Sequence, residues 1–319
     1  MAYRKTYKTK ADTVRGETFS GKVSKAERVA NMKLAVANKI RHQMLTAGKD
    51  WLKNWVTVPG QGPLSLSTGK NYRGINWLIL SMERVANGYS SDKWATLPQW
   101  NKRGYKISKG EKSTTVVLYK PVVYQDKETG EDKAYSYFDM FYVFNADQVI
   151  DENGEKPAFD EAVPEFSQDE TLADDFAARC GASITYGNPN SAFYAPAVDT
   201  INMPKSGQFN SPEAYQATLL HELTHWTKHP SRLDRNLGRD RKGYAREELV
   251  AELGAAMLCG VLNISLEPRE DHAKYLNNWI ELLKDEPDAI FKAAAKASEA
   301  TDYLLELSEA GWDEVTAAA

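Results

Sequence analysis

His221-Glu222-Leu223-Thr224-His225 sets two imidazoles four residues apart with a glutamate between them. On a helix, residues i and i+4 lie one turn apart on the same face, so both rings can close on one cation. Glu222 points about 100° round the helix from His221. Its carboxylate is therefore placed to take a proton from water rather than to ligate. Zinc in such a set lowers the pKa of bound water to about 7, the chemistry of metal-assisted hydrolysis. The chain has five histidines, and three of them (His221, His225, His229) fall within nine residues. His229 is read as a surface side chain or one that supports the ligands from behind, not as a ligand, because the glycine turn and later third histidine of the longer HExxH motifs do not follow.

The elements that must position these groups are legible nearby. Ser211-Pro212-Glu213 is a helix start: Ser as N-cap, Pro in the first helical position and an acid in the first turn. Pro230 ends the pattern. The expected helix runs over 212–228, with the motif in its last two turns. A catalytic zinc also needs a third protein ligand. A second helical pattern carries Glu247, Glu248 and Glu252, and Glu248 lies 23 residues after His225, which leaves room for the chain to reverse. Glu248 and Glu252 share a face; Glu247 is the rival ligand.

HExxH followed by a helix reading Glu248-Leu-Val-Ala251-Glu252-Leu-Gly-Ala255-Ala256 resembles the zincin metallopeptidases whose third ligand is a glutamate. The resemblance implies His221, His225 and Glu248 as ligands of Zn2+ or another divalent metal, with Glu222 as the catalytic base. It gives Glu252 the part of orienting a histidine ligand. Zincins also place an edge strand above the metal, where an extended peptide can pair; the candidate is 191–203. Tyr194 and Tyr244 are read as packing residues, with oxyanion stabilisation as the alternative.

The net charge of −4 hides an opposition. Residues 1–120 carry 23 Lys and Arg against 7 Asp and Glu, a net of +16; the remaining 199 carry 17 against 37, a net of −20. A basic half beside an acidic one points to a polyanion partner for the first. It also suggests that, without that partner, acids of the second half cover the basic surface. The two cysteines, Cys180 and Cys259, have no metal or redox spacing and read as buried thiols in a reducing cytoplasm. No apolar run approaches the ~20 residues of a membrane span, and no signal-peptide core is expected.

Five of the eight tryptophans fall between residues 51 and 100, among lysines and arginines. Cations that track phosphates and aromatic faces that stack on unpaired bases are what single-stranded nucleic acid requires. At most two of the five tryptophans are expected to touch a base. The candidate contacts are Lys70, Tyr72, Arg73, Trp94, Arg103, Lys106, Lys109 and Lys112. Ser24-x-x-Glu27 is a capping box opening a helix that reaches about Leu45. Strand patterns follow at 114–124 and 135–144. Further along, 168–180 reads as a helix, 182–186 and 192–201 as strands, and 268–284 and 287–307 as helices.

The runs YRGINWLIL, WATLPQW and GYKISKGEKSTTVV, continued by INMPKSGQF, HELTHW and REELVAELGAAML, resemble the ArdC-type antirestriction proteins over roughly residues 25–310. That resemblance implies a single-stranded-DNA-binding domain followed by a zincin-like metallopeptidase domain. It also implies residence on a conjugative plasmid or other mobile element, and protection of incoming DNA from host restriction. The expected fold class is α+β with two domains: a basic tail over 1–22, an α+β DNA-binding domain over 23–150, a linker over 151–167 and a mostly helical zincin-like domain over 168–319. The expected partners are single-stranded DNA and an unidentified protein substrate, host restriction machinery being one candidate, with no membrane. Two alternatives stand beside this reading. One is a DNA-binding protection module whose metal site is structural or vestigial; the other is a protease for proteins crosslinked to DNA.

Overall fold

The computed structural model describes residues 24–52, 62–125, 130, 132–159, 165–187, 191–267 and 272–315. The basic tail, Trp55, the hairpin tip 127–129, part of the linker and Pro268 lie outside them. The chain is an α+β molecule of two domains. Its first helix, α1 (Lys25–Ala47), is opened by the expected box: Glu27 N–H donates to Ser24 Oγ (3.2 Å) and Ser24 N–H to Glu27 Oε2 (2.7 Å).

The first sheet is built from β1 (Leu64–Ser65), β2 (Lys70–Asn71), β3 (Lys93–Thr96), β5 (Thr114–Gln125) and β6 (Asp132–Asn145), in the order β2-β1-β3-β6-β5. The helix α2 (Gly74–Asn87) lies on one face of it, α3 (Leu97–Lys102) follows β3, and β4 (Lys106–Ile107) pairs with β7 (Val149–Ile150). Across β5 and β6, Val116 pairs with Phe141 and Thr114 with Val143, so Val116, Leu118, Phe141 and Val143 share a face. Leu80 of α2 packs there with Trp94, Val116 and Val143.

The second half begins with α4 (Leu172–Arg179), shorter than expected because Asp169 makes a turn with Thr171 N–H (2.9 Å). The expected strand over 192–201 is instead a hairpin of β9 (Phe193–Ala195) and β10 (Thr200–Asn202), with β8 (Ile184–Thr185) on the other side of β10. Pro196 has no N–H to give a ladder, and Asp199 turns the chain at φ +51°. β9 is left as an edge strand. The remainder is helical: α5 (Pro212–Trp226), α6 (Arg241–Val261), α7 (His272–Asp285) and α8 (Ala289–Val315).

The two halves are not separate globules. α1 packs on α7, and α2 is held between the sheet and α8. Trp51 meets Trp279 of α7 at 6.0 Å between ring centroids, and one continuous core contains Ile40, Leu78, Phe176, Leu253 and Ala294. Cys180 and Cys259 are buried free thiols in this core, and burial pushes the Cys180 thiol up to about 12. Among the described residues no helix is long and apolar enough to cross a membrane.

Candidate metal centre

Two crossing helices build the site. Ser211 caps α5, its Oγ accepting from Ala214 N–H (3.1 Å), and Pro212 opens the first turn. α5 ends at Trp226, two residues before the expected stop, because the turn tightens ahead of Pro230: Lys228 N–H donates to His225 carbonyl, three residues back. Asp240 caps α6, accepting from Gly243 N–H (2.9 Å). Gly254 of α6 packs directly against Thr224 of α5. A Cβ on Gly254 would lie 2.5 Å from Thr224 Cγ2, so only glycine permits this contact.

The crossing brings His221, His225 and Glu248 together, all three buried, with one ligand atom of each within 4.8 Å of the others. His221 Nε2 lies 3.6 Å from Glu248 Oε2, and His225 Nε2 lies 3.4 Å from Glu248 Oε1. A tetrahedral zinc with bonds of about 2.0–2.2 Å needs donors about 3.4 Å apart. The donor set therefore fits a divalent cation. The imidazoles stand at 82° to each other with centroids 4.8 Å apart.

Each histidine has a carboxylate at its other nitrogen. Glu252 Oε1 lies 3.1 Å from His221 Nδ1, and Glu247 Oε1 lies 3.0 Å from His225 Nδ1. A proton on Nδ1 facing the carboxylate leaves the Nε2 lone pair pointing at Glu248. Glu247 is thus neither a ligand nor a solvated residue. It also takes two charged hydrogen bonds from Arg235, Nε to Oε2 and Nη2 to Oε1, both 2.9 Å. Arg235, itself buried, donates further to Thr227 Oγ1 and to Thr224 carbonyl. The sequence reading missed Arg235. The one signal was an arginine close behind the helix-ending Pro230, and its partners are up to twelve residues away along the chain.

Burial by itself raises both glutamates; their partners reverse it. The neighbouring His221 and His225 imidazoles hold the Glu248 carboxyl well below the usual carboxylate range. Hydrogen bonds with His225 and Arg235 bring Glu247 down to about 2. Both are carboxylates at neutral pH, the state in which Glu248 could ligate a cation and Glu247 could hold an imidazole. Glu222 is buried beside them at 3% exposure. Tyr244 stands one turn before Glu248 on α6 and is half exposed. Its hydroxyl lies 3.1 Å from Tyr275 Oη, and burial, Tyr275 and the Glu248 charge keep it protonated well above the ordinary phenol range. Tyr194 is buried instead, donating to Asp199 Oδ1 (2.8 Å). His229 is held by Ser231, at 2.7 Å between Nδ1 and Oγ, and takes no part in the centre.

The candidate DNA contacts scatter more widely. Trp94 is removed from them: it is fully buried in the central strand β3, edge-on to Tyr89, and offers no face to a base. Trp51, Trp77 and Trp100 are buried as well. Hydrophobicity outweighs stacking for these rings, and among the described residues of the basic half and its sheet the exposed aromatics are Tyr124, Phe141 and Tyr142 of the β5–β6 hairpin. Lys70, Tyr72 and Arg73 line one cleft, whereas Lys112 borders a different cavity. Arg103 donates to Leu66 carbonyl (2.9 Å), and Lys106 and Lys109 are exposed and line neither.

Residues 30–148 match the model of the N-terminal domain of the anti-restriction factor ArdC, and residues 171–296 match that of a zincin-like metallopeptidase. A crystal structure of the antirestriction ArdC protein from plasmid R388, metal-free, is 38% identical, superposes with a TM-score of 0.72, and shares 88% of this chain and 98% of that one. The Mn(II)-bound form of the same protein superposes at 0.71. An uncharacterised protein, y4eC, of Sinorhizobium fredii is 36% identical over 81% of this chain and 85% of its own. A DNA primase TraC of Escherichia coli is 36% identical over 85% of this chain, which spans only 26% of that primase. With this likeness running through both halves and the metal-binding geometry in place, the chain belongs to the ArdC family of antirestriction proteins.

Proposed function

We propose that this protein protects the incoming DNA of a mobile element from host restriction, in the bacterial cytoplasm, by joining single-stranded-DNA binding to zinc-dependent peptide hydrolysis. The observation that carries the hydrolytic half is the convergence of His221, His225 and Glu248 with a carboxylate behind each imidazole. A purely structural zinc site is closed by four protein ligands; here three converge, with a glutamate in the HExxH position beside them. The DNA-binding half is supported by the +16 charge of residues 1–120 and by the family. The substrate is a protein, and host restriction machinery is the first to test.

His221, His225 and Glu248 would hold the cation, which supplies a Lewis acid that polarises the scissile carbonyl and acidifies water. Glu252 and Glu247 hold the imidazoles in the tautomer that leaves Nε2 free. Glu222 takes a proton from the attacking water onto its carboxylate and passes it to the leaving amine nitrogen. Tyr244, protonated beside Glu248, donates toward the oxygen on which charge develops. The edge of β9 is open to pair with an extended substrate.

Glu222→Gln tests the reading. The variant should retain metal, bind single-stranded DNA as before, and lose protection of unmodified DNA in a restricting host. Full protection by Glu222→Gln would reassign the metal site to a structural role. Preference for a single strand over its duplex, weakening steeply with salt, tests the other half.

A further inference from the structure

The cleft that holds Lys70, Tyr72 and Arg73 has a volume of about 1070 Å³, the upper limit of small-ligand pockets, which span roughly 300–1,000 Å³. Its floor is apolar: Leu118 and Phe141 lie on the part of the sheet face that α2 leaves uncovered, next to the buried Val116 and Val143, with Tyr72 at one side. Phe141 and Leu118 are 42% and 40% exposed there. Its rim is cationic, with Lys33, Lys70 and Arg73 from the basic half and Lys292 from α8 of the acidic half. The N-terminus of α2 opens onto it; Arg73 at the N-cap has no acceptor to offer, and Ser298 Oγ takes Gly74 N–H (2.7 Å). Phe291 of α8 completes the far wall, with Lys33 Nζ 5.8 Å from its ring centre.

Two of the rim cations are held by acids of the opposite half. Lys33 pairs with Asp288 at 3.1 Å, and Arg73 pairs with Asp302 of α8. Both pairs are solvent-accessible, so each is weak and exchangeable.

We propose that this cleft, built jointly by the β5–β6 face and α8, is the seat of single-stranded DNA, and that Asp288 and Asp302 hold its rim cations until phosphates replace them. The proposal rests on the DNA-binding reading above. An apolar floor beneath a cationic rim matches a strand whose bases point inward and whose phosphates stay at the edge. A duplex hides its base faces and cannot use the floor. α8 packs on α6, which carries Glu248, so the strand lies on the helix that backs the metal centre.

The test is fluorescence anisotropy of the full chain with a labelled single-stranded oligonucleotide over a salt series. Phe141→Ala should weaken binding roughly 5- to 100-fold, the span of one lost base–aromatic stack. Lys292→Ala, on the surface of the acidic half, should weaken it and lower the salt slope by about 0.7 for one lost phosphate contact. Asp288→Asn with Asp302→Asn should tighten binding, up to about 5-fold for each freed cation; the equal charge change Glu152→Gln with Glu155→Gln on a distant turn should not. If the wild-type chain binds but Phe141→Ala and Lys292→Ala bind equally well, while Lys106→Ala with Lys109→Ala loses affinity, the cleft is the wrong place and the DNA-binding reading stands. If the wild-type chain binds no single strand, both fall.

Discussion

Glu247 and Glu252 do the same thing to two different histidines, yet they stand in different electrostatic settings. Glu252 faces His221 Nδ1. Glu247 faces His225 Nδ1 and also neutralises the buried Arg235 guanidinium. Removing either carboxylate should weaken metal binding by about 10- to 100-fold, the usual cost of losing a partner behind a ligand, as read by chelator competition. The two should part in stability. Glu247→Gln leaves a buried cation without its counter-charge and should cost about 3–5 kcal/mol in denaturant unfolding of the metal-free chain, whereas Glu252→Gln costs far less. Equal losses would mean that Arg235 is satisfied by Thr224 and Thr227 alone.

The crossing of α5 and α6 sets the distance between the HExxH imidazoles and Glu248. It depends on Gly254, because any Cβ there would collide with the Thr224 side chain. Gly254→Ala should destabilise the chain by about 1–3 kcal/mol through overpacking, even though alanine is the better helix former. Adding Thr224→Ala should restore part of the loss, and differential scanning fluorimetry would show it. A lone Gly254→Ala that raised Tm would refute the contact. HELTH and ELGAAML are thus packed face to face, and their spacing in the sequence reflects a fit between backbones as well as ligand chemistry.

Across the whole molecule, the basic and acidic halves share one core. Trp279 of α7 is fully buried, touches Trp51 and donates Nε1–H to Ala245 carbonyl in the first turns of α6, the helix that carries Glu248. Trp279→Ala should therefore cost about 3–5 kcal/mol and lower the unfolding midpoint of both halves together, seen by far-ultraviolet circular dichroism and by the fluorescence of the remaining tryptophans. A shift confined to one transition would show that the halves unfold independently. A fragment ending near residue 150 would leave α1 and α2 without α7 and α8 to cover them, so the basic half is best studied in the intact chain.

The amino-acid sequence determined the elements and the chemistry that ride on local spacing. The i, i+4 histidines, the capped starts of α1 and α5, the long β5–β6 pair and the charge opposition follow from periodicity, caps and counts, which involve neighbours along the chain. The family resemblance singled out Glu248 and Glu252, but tertiary structure decided which acid faces which histidine and set Glu247, the rival ligand by sequence, against His225 Nδ1, because the three lie within six residues on one helix and the angle of crossing fixes what each one meets. It decided the fate of the tryptophans too. A tryptophan beside lysine reads alike in a base-stacking platform and in a core, and burial of Trp94 in a central strand chose the core. Likewise 192–201 reads as a strand by composition, while Pro196 and the turn at Asp199 fold it into a hairpin with an open edge. The cleft between the sheet and α8 was invisible to sequence reasoning for a physical reason: its walls are more than 140 residues apart, and no local pattern records which helix will come to lie across a sheet.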